Sequence, residues 1–423
     1  MSNHLAPLEP KADKAAVRRH NLSLVLRAVH DEGETTRAAV AGRSGLTRAA
    51  VSSLVEQLLA SGFLSESGKS FSGQAGRPGT VLKVARTGLA GVGVEINVDY
   101  VTVCVVDLSG TDRVRLTEHL DNRGAPPADV LDRAARITAR ALESAGAREL
   151  RPAGAHLALP GLVSGGTVRQ APNLGWNRVA AEGIFAQALS GLRLRRSPED
   201  APRPLPVGSG NEADAAALAE LWFGGRGDDR GRGPRGFLYL SGEIGIGGAL
   251  VVDGELLRGA HGFAGEIGHV VVDEDGPLCR CGSHGCLEQY AGQAALLRAA
   301  GLAEDAGLPG VTELERRARD GDGSAVAAIT GAGRTLGLVL SGAVNLFDPE
   351  AVVLGGTFRP LMPWLAPPIT ERLERRVVSG LWTEDSGRLR ASSSAADAAR
   401  GSAALVVRDV LADPLAYAER AES

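Results

Sequence analysis

The sequence predicts an α/β protein in two parts, a small N-terminal head built as a winged helix-turn-helix and a larger body of mixed strands and helices. Three observations predict it. Between Asn21 and Leu64 apolar residues recur in three stripes at helical spacing, with a glycine turn between the second and third. From Gly91 onward, short apolar runs such as GVGVEINVDYVTVCVVDL alternate with longer helical patterns. The charge is also divided: Met1 to Arg86 holds 12 basic and 7 acidic residues, net +5, whereas the rest of the chain is net −9. At 423 residues the chain exceeds one ordinary core, so two or three domains are expected. A basic head on an acidic body suggests that the head meets a polyanion.

Residues 1–17 are expected to form a disordered tail, and 18–86 the head. Leu22, Val25, Leu26 and Val29 mark the first helix, Ala38, Ala39 and Val40 a shorter second, and Val51, Leu54, Val55, Leu58 and Leu59 the third. The turn GRSGLT places Thr47 to cap the third helix. The following segment, FLSESGKSFSGQAGRPGTVLKV, reads as a strand, a Gly/Ser-rich tip and a second strand alternating at Val81 and Val84, which suggests a wing. In this arrangement Thr47, Arg48, Ser52, Ser53 and Gln57 face the major groove of double-stranded DNA, and Lys69 and Arg77 at the wing reach phosphates or the minor groove. The competing reading is a small helical protein-interaction domain with surface arginines.

The body, 91–423, reads in order as two strands joined by the turn Glu95 to Asp99, a helix near Ala128 to Ala145 and the strand GAHLALP. The strands of GFLYLSGEIGIGGALVVDGELL follow, then long helices, the strand AVVLGG and a final helix from Ala396 to Leu411. GGRGDDRGRGPRG, between the two strand groups, reads as a mobile loop. A short linker, Ala85 to Ala90, joins head and body. No run approaches the ~18 apolar residues of a membrane span, and the first residues lack an export signal, so a cytoplasmic protein without membrane contact is expected.

Three of the four cysteines fall within eight residues, and in a reducing compartment such clustering argues for metal. His269, Cys279, Cys281 and Cys286 supply one imidazole and three thiolates, a complete tetrahedral set for zinc with no position left for a catalytic water. The expected cofactor is thus a structural Zn2+. His284 is a rival fourth ligand, and reduced cysteines beside an unrelated histidine are the competing reading. Glu266 and Glu288 bracket the cluster, so a metal fixing both segments would turn two carboxylates toward one pocket, a pairing that suits vicinal hydroxyls; two solvated glutamates would have the same spacing.

Taken together, these residues resemble the ROK family (repressors, open reading frames, kinases), and within it the winged-helix transcriptional regulators such as xylose and N-acetylglucosamine repressors. GEIGH and CRCGSHGCLE carry the resemblance most specifically, supported by PGLVSGGTVRQAPNLGW and NEADAAALAE. It implies an actin-like ATPase (ribonuclease H-like) body of two lobes, one of about 91–212 plus 396–423 and one of about 213–395. It also implies a sugar site of Asn173, Asn211, Glu212, Glu266, His269 and Glu288, with the histidine using one ring nitrogen for zinc and the other for a sugar hydroxyl.

A sugar kinase of this family needs more: a DxGGT turn whose N–H groups approach phosphate, an aspartate base in NDAN, and a GTGIG loop. Here the first turn reads Glu95, Ile96, Asn97, Val98, Asp99, with Val98 expected where phosphate would approach and Asp99 of the wrong sign. The second loop reads EIGIG, with Glu243 and Ile244 replacing glycine and threonine. Glu212 replaces the aspartate and is longer by a methylene, a displacement of ~1 Å that positional catalysis tolerates poorly. The expectation is a non-enzymatic, sugar-responsive DNA-binding regulator, a repressor of carbohydrate-utilisation genes. Its partners would be an operator, a sugar or sugar-phosphate effector, and further copies of the chain in a dimer or tetramer. An active ATP-dependent sugar kinase is the alternative, and a zinc-stabilised interaction module a third.

Overall fold

Helix α1 (Lys14–Glu32) buries Leu22, Val25, Leu26 and Val29, the stripe its sequence offers. It starts at Lys14, inside the stretch expected to be a tail. The computed structural model describes residues 13–70, 79–196, 204–224, 233–383, 386–393 and 397–422. A three-residue strand β1 (Glu34–Thr36) precedes α2 (Arg37–Ser44), whose first turn is capped by the Thr36 hydroxyl accepting from Ala39 N. Gly45, at φ +70°, ends α2 in the left-handed conformation glycine tolerates. The Thr47 hydroxyl accepts from Ala50 N and opens α3 (Arg48–Ala60).

Strands β2 (Leu64–Ser70) and β3 (Gly79–Val84) form an antiparallel sheet with β1, in the order β1-β3-β2. The inward residues of β3 are Leu82 and Val84; Val81, three positions before Val84, cannot share its face and is only half-buried. The tip residue Arg77 lies outside the described residues, as does most of GGRGDDRGRGPRG.

β4 (Gly88–Ile96) begins within the expected linker and pairs antiparallel with β5 (Tyr100–Asp107), which pairs with β6 (Asp112–His119). Helix α4 (Pro127–Gly146) then leads to β7 (Leu150–Leu159), and a small sheet of β8 (Leu162–Ser164), β9 (Thr167–Ala171) and β10 (Trp176–Val179) to α5 (Ala181–Arg196). β11 (Val207–Asn211) closes a five-stranded sheet, β11-β7-β4-β5-β6, and α6 (Glu212–Phe223) leaves it. The second lobe opens with β12 (Phe237–Gly242), β13 (Ile246–Val252) and β14 (Glu255–Leu256). Helices α7 (Glu288–Ala291), α8 (Gln293–Ala299), α9 (Gly307–Arg319) and α10 (Gly323–Phe347) follow. β15 (Ala351–Gly356), α11 (Phe358–Arg376) and β16 (Leu389–Ala391) complete its sheet, β14-β13-β12-β15-β16. Each sheet has its own apolar core. α10 is long and apolar enough to cross a membrane, but Ile329, Leu336 and Leu340 are fully buried in the second core.

The chain returns through α12 (Ala398–Ala412) to the first sheet and adds α13 (Pro414–Glu422), a helix beyond the one expected to be last. α12 is wedged between β4 and α6. A Cβ on Gly93 would sit 1.8 Å from Ala399 O, and one on Gly401 1.8 Å from Ala215 O, so the backbones touch where only glycine fits. Ala403, Val407, Val410 and Leu411 of α12 share one buried cluster with Leu22, Val25 and Leu26 of α1. The buried Ser23 hydroxyl donates to Leu411 O at 2.8 Å. Head and first lobe are therefore packed together through α12 and do not hang on the linker alone.

Candidate functional site

The cluster His269, Cys279, Cys281, Cys286 is built by loops that glycines bring into close approach. A Cβ on Gly285 would lie 1.6 Å from Asp273 O, and Leu287 N donates to Val270 O at 2.8 Å, which closes the loop onto the histidine segment. The four donor atoms lie within 4.8 Å of one another, with Cys281 Sγ 3.7 Å from Cys286 Sγ and His269 Nδ1 3.8 Å from Cys279 Sγ. Around a tetrahedral ion with ~2.3 Å metal–sulfur bonds, two sulfurs would be ~3.8 Å apart. The set therefore fits a four-coordinate metal with no open position. His284 is not part of the converging set; its Nδ1 is instead 3.1 Å from Gly276 O.

His269 Nε2 points the other way, 3.9 Å from Glu266 Oε2. This ring orientation brings the metal cluster and the predicted sugar residues to one cleft: Asn173, Asn211, Glu212, Glu266, His269 and Glu288 all line it, with Gly161, Gly245 and Gly247. Several are held by the fold. Asn211 caps α6, its Oδ1 accepting from Ala213 N and Asp214 N while Nδ2 donates to Gly161 O; one N–H remains for a ligand. Glu288 Oε2 accepts from Ile246 N at 3.2 Å and rests on Gly245, where a Cβ would meet it at 2.2 Å. Sequence reading missed Arg280, whose Nη1 donates to Asn173 Oδ1 at 2.9 Å. Its place between two cysteines of the cluster was the available signal, since the loop that brings them together also fixes the residue between.

Glu212 also lines a second, larger cavity between the lobes, with Glu95, Tyr100, Arg115, Tyr239, Glu243 and Thr357 among its walls. The phosphate-loop reading needs correction here. Val98 is 2 % exposed, packed into the first core, and does not obstruct the cleft; Asp99 does not line it. A buried β-branched side chain is more stable in the core than in a polar cleft, so the turn rotates it inward. The turn's amides are spent internally, with Asn97 N donating to Tyr100 O and Val98 N to Asn97 Oδ1, which withdraws them from phosphate. The cleft is occupied by carboxyls instead. Glu95 Oε1 accepts from Tyr100 Oη at 2.5 Å and Oε2 from Ala399 N at 3.1 Å. Burial, then the nearby Asp397, pushes Glu95 up to about 7. Burial, then Glu95 and Glu266, pushes Glu212 up to about 8, and burial with Glu95 and Glu212 raises Glu243 well above the usual carboxylate range.

On the head, Arg48, Ser52 and Ser53 are exposed along α3. Two of the predicted groove residues are committed elsewhere: the Thr47 hydroxyl to its cap, and Gln57 Oε1 to Arg18 Nη2 at 2.7 Å. Glu56 joins the exposed face, neutralised by Arg37, which also binds Glu66. Lys69 lies on β2 near the wing tip.

The family model matches residues 91–409. The chain belongs to the ROK family. A ROK-family transcriptional regulator described as a homologue of the E. coli MLC protein superposes with a TM-score of 0.74 at 25 % identity, over 96 % of this chain and 100 % of that one. The xylose repressor of Caldicellulosiruptor bescii is 29 % identical over 352 residues, 79 % of this chain and 82 % of the repressor. The glucokinase of Streptomyces coelicolor is 36 % identical, but over 194 residues, 42 % of this chain and 60 % of the enzyme. At 96 % coverage the likeness to the ROK regulator takes in the N-terminal head, whereas the matched stretch of the glucokinase spans 42 % of this chain.

Proposed function

We propose that this ROK protein is a sugar-responsive transcriptional repressor whose kinase-like body binds a sugar and transfers no phosphate. One observation carries the reading: a complete sugar-type pocket stands beside phosphate loops closed by Glu95 and Glu243. Carboxyls facing a nucleotide's phosphates supply no positive charge and repel them wherever they ionise, and the turn's spent amides give nothing in return. The likeness of regulators over nearly the whole chain supports the same conclusion.

Within this reading the head, 18–86, is a winged helix-turn-helix with α3 as the recognition helix. Arg48, Ser52 and Ser53 meet base edges and phosphates, Lys69 and Arg77 act at the wing, and Thr47 and Gln57 support the helix. The metal is a structural zinc held by His269, Cys279, Cys281 and Cys286, which turns the second imidazole nitrogen toward the sugar. Asn173, Asn211, Glu212, Glu266 and Glu288 complete the sugar contacts, and Glu212 accepts a hydroxyl proton's hydrogen bond instead of removing the proton. The sugar bridges the lobes and favours one closure; because head and first lobe are packed as a unit through α12, closure in a dimer changes how two heads meet two operator half-sites.

The names of the xylose repressors make xylose the first effector to try. A gel shift on the chain's own promoter region is expected to show salt-dependent binding that a pentose or hexose weakens. Measurable ATP turnover with any such sugar would sink the sensor reading, and operator affinity unmoved by every sugar would sink the coupling.

A further inference from the structure

The larger cavity, about 430 Å³, has lost its phosphate chemistry but has not filled in. Among the described residues it shares Glu212 alone with the lining of the sugar pocket. On its walls Glu95 is 7 % exposed and already bonded, whereas Glu243 receives one long contact, from Ser241 Oγ at 3.4 Å. The charged groups acting on Glu243 are the carboxyls of Glu95, Glu212 and Asp99, and those acting on Glu212 are Glu95 and Glu266. Arg115 is bound by Asp112 and Asp397, and Arg359 and His119 are exposed.

Two further atoms point to a missing occupant. Thr357 is 3 % exposed and lines the cavity, and its Oγ1 has no hydrogen-bond partner; Glu212 Oε2 is likewise inaccessible and unpartnered. A buried hydroxyl left unsatisfied costs about 1–3 kcal/mol, so such groups are ordinarily paired in the state that functions. Thr102, Thr117, Thr312, Ser392 and Ser393 line the same space, with the Thr102 and Thr117 hydroxyls 3.0 Å apart and that of Thr312 donating to Leu308 O.

We propose that the vacated nucleotide cleft is a second ligand site, taking a small hydroxylated amine whose ammonium sits among Glu243, Glu212 and Glu95 and whose hydroxyls meet Thr357 and the wall hydroxyls. None of these carboxyls offers a phosphate a positive partner, and an ammonium placed among them displaces the protons that burial holds there, so a cation is favoured over a phosphate-bearing ligand. The volume and the hydroxyl lining favour an organic amine over a bare metal ion, which would leave most of the cavity and Thr357 unserved. The site is chemically opposite to the one its fold descends from.

The test is a thermal-shift and calorimetric titration of the full-length protein with glucosamine, mannosamine, ethanolamine and spermidine, with glucose and magnesium as neutral and metal counterparts. At least one amine is expected to raise Tm in wild type and in Asn173→Ala, and to bind at least tenfold more weakly to Glu243→Gln and Thr357→Val. Thr357→Val should itself fold with equal or higher Tm, since it removes an unsatisfied hydroxyl. No amine response, a response lost with Asn173→Ala but kept in Glu243→Gln, or a response to magnesium alone would each overturn the proposal. None of these outcomes touches the sensor reading, which stands or falls on sugar and operator.

Discussion

Single atoms set limits at several positions in this chain. Gly93 faces Ala399 O so closely that a methyl group has nowhere to go, because the obstruction is backbone and cannot swing aside. Gly93→Ala is expected to destabilise by more than about 3 kcal/mol or to prevent folding, read as loss of the cooperative melt by circular dichroism. Arg48 is different, exposed and without a structural duty at the start of α3. Arg48→Ala should leave Tm unchanged and weaken operator binding by about 1–3 kcal/mol, relaxing sequence preference where it meets a base. A uniform loss across sequences, with a shallower salt slope, would reassign it to phosphate contact.

At the scale of elements, the metal loop and α12 carry the functional arrangement. In the loop from 270 to 287 Leu278, Val270 and Val271 are exposed and Leu287 is the buried apolar anchor, so a metal held by the cluster would add order there. Cys281→Ser is expected to lower bound zinc by elemental analysis, lower Tm, and weaken sugar binding together, because Glu288 and His269 are positioned by the same loop. Full zinc content and unchanged Tm in that variant would refute the assignment. α12 ties its N-terminus to Glu95 and its C-terminus to Ser23, so it links the inter-lobe cleft to the head within one helix.

For the whole molecule, the buried carboxyls make stability depend on pH in an unusual direction. Glu95 at about 7 and Glu212 at about 8 hold protons in the folded state well above the carboxyl reference of 4.5. Below about pH 4.5 both states are protonated and the groups cost nothing; as pH rises from there toward the folded values, the unfolded chain has released protons that the fold retains, and stability falls until the folded groups ionise too. Wild type should therefore lose stability between about pH 5 and 8 relative to Glu95→Gln and Glu212→Gln, by several kcal/mol and at most about 8 kcal/mol for the two groups together, measured by denaturant melts across that range. A wild-type profile parallel to both variants would show that the carboxyls are solvated.

How far the sequence determined this protein depends on how local each signal is. The helical stripes of α1 and α3, the Thr47 cap and the Cys279-Cys281-Cys286 spacing are short-range patterns, and they were legible. So was the grouping of the pocket residues, through motifs the family keeps together. The strand β1, too short for periodicity, and α13, whose pattern is weak, were not. The direction of Val98 was misread because a β-branched residue in a turn can face either way until a core exists to receive it. Only the tertiary structure decided that Glu95 shares one cavity with Glu212 and Glu243, more than a hundred positions further along the chain, and that α12 joins the head to the body. Those facts depend on how two sheets and a returning helix pack, and no local spacing encodes such a contact.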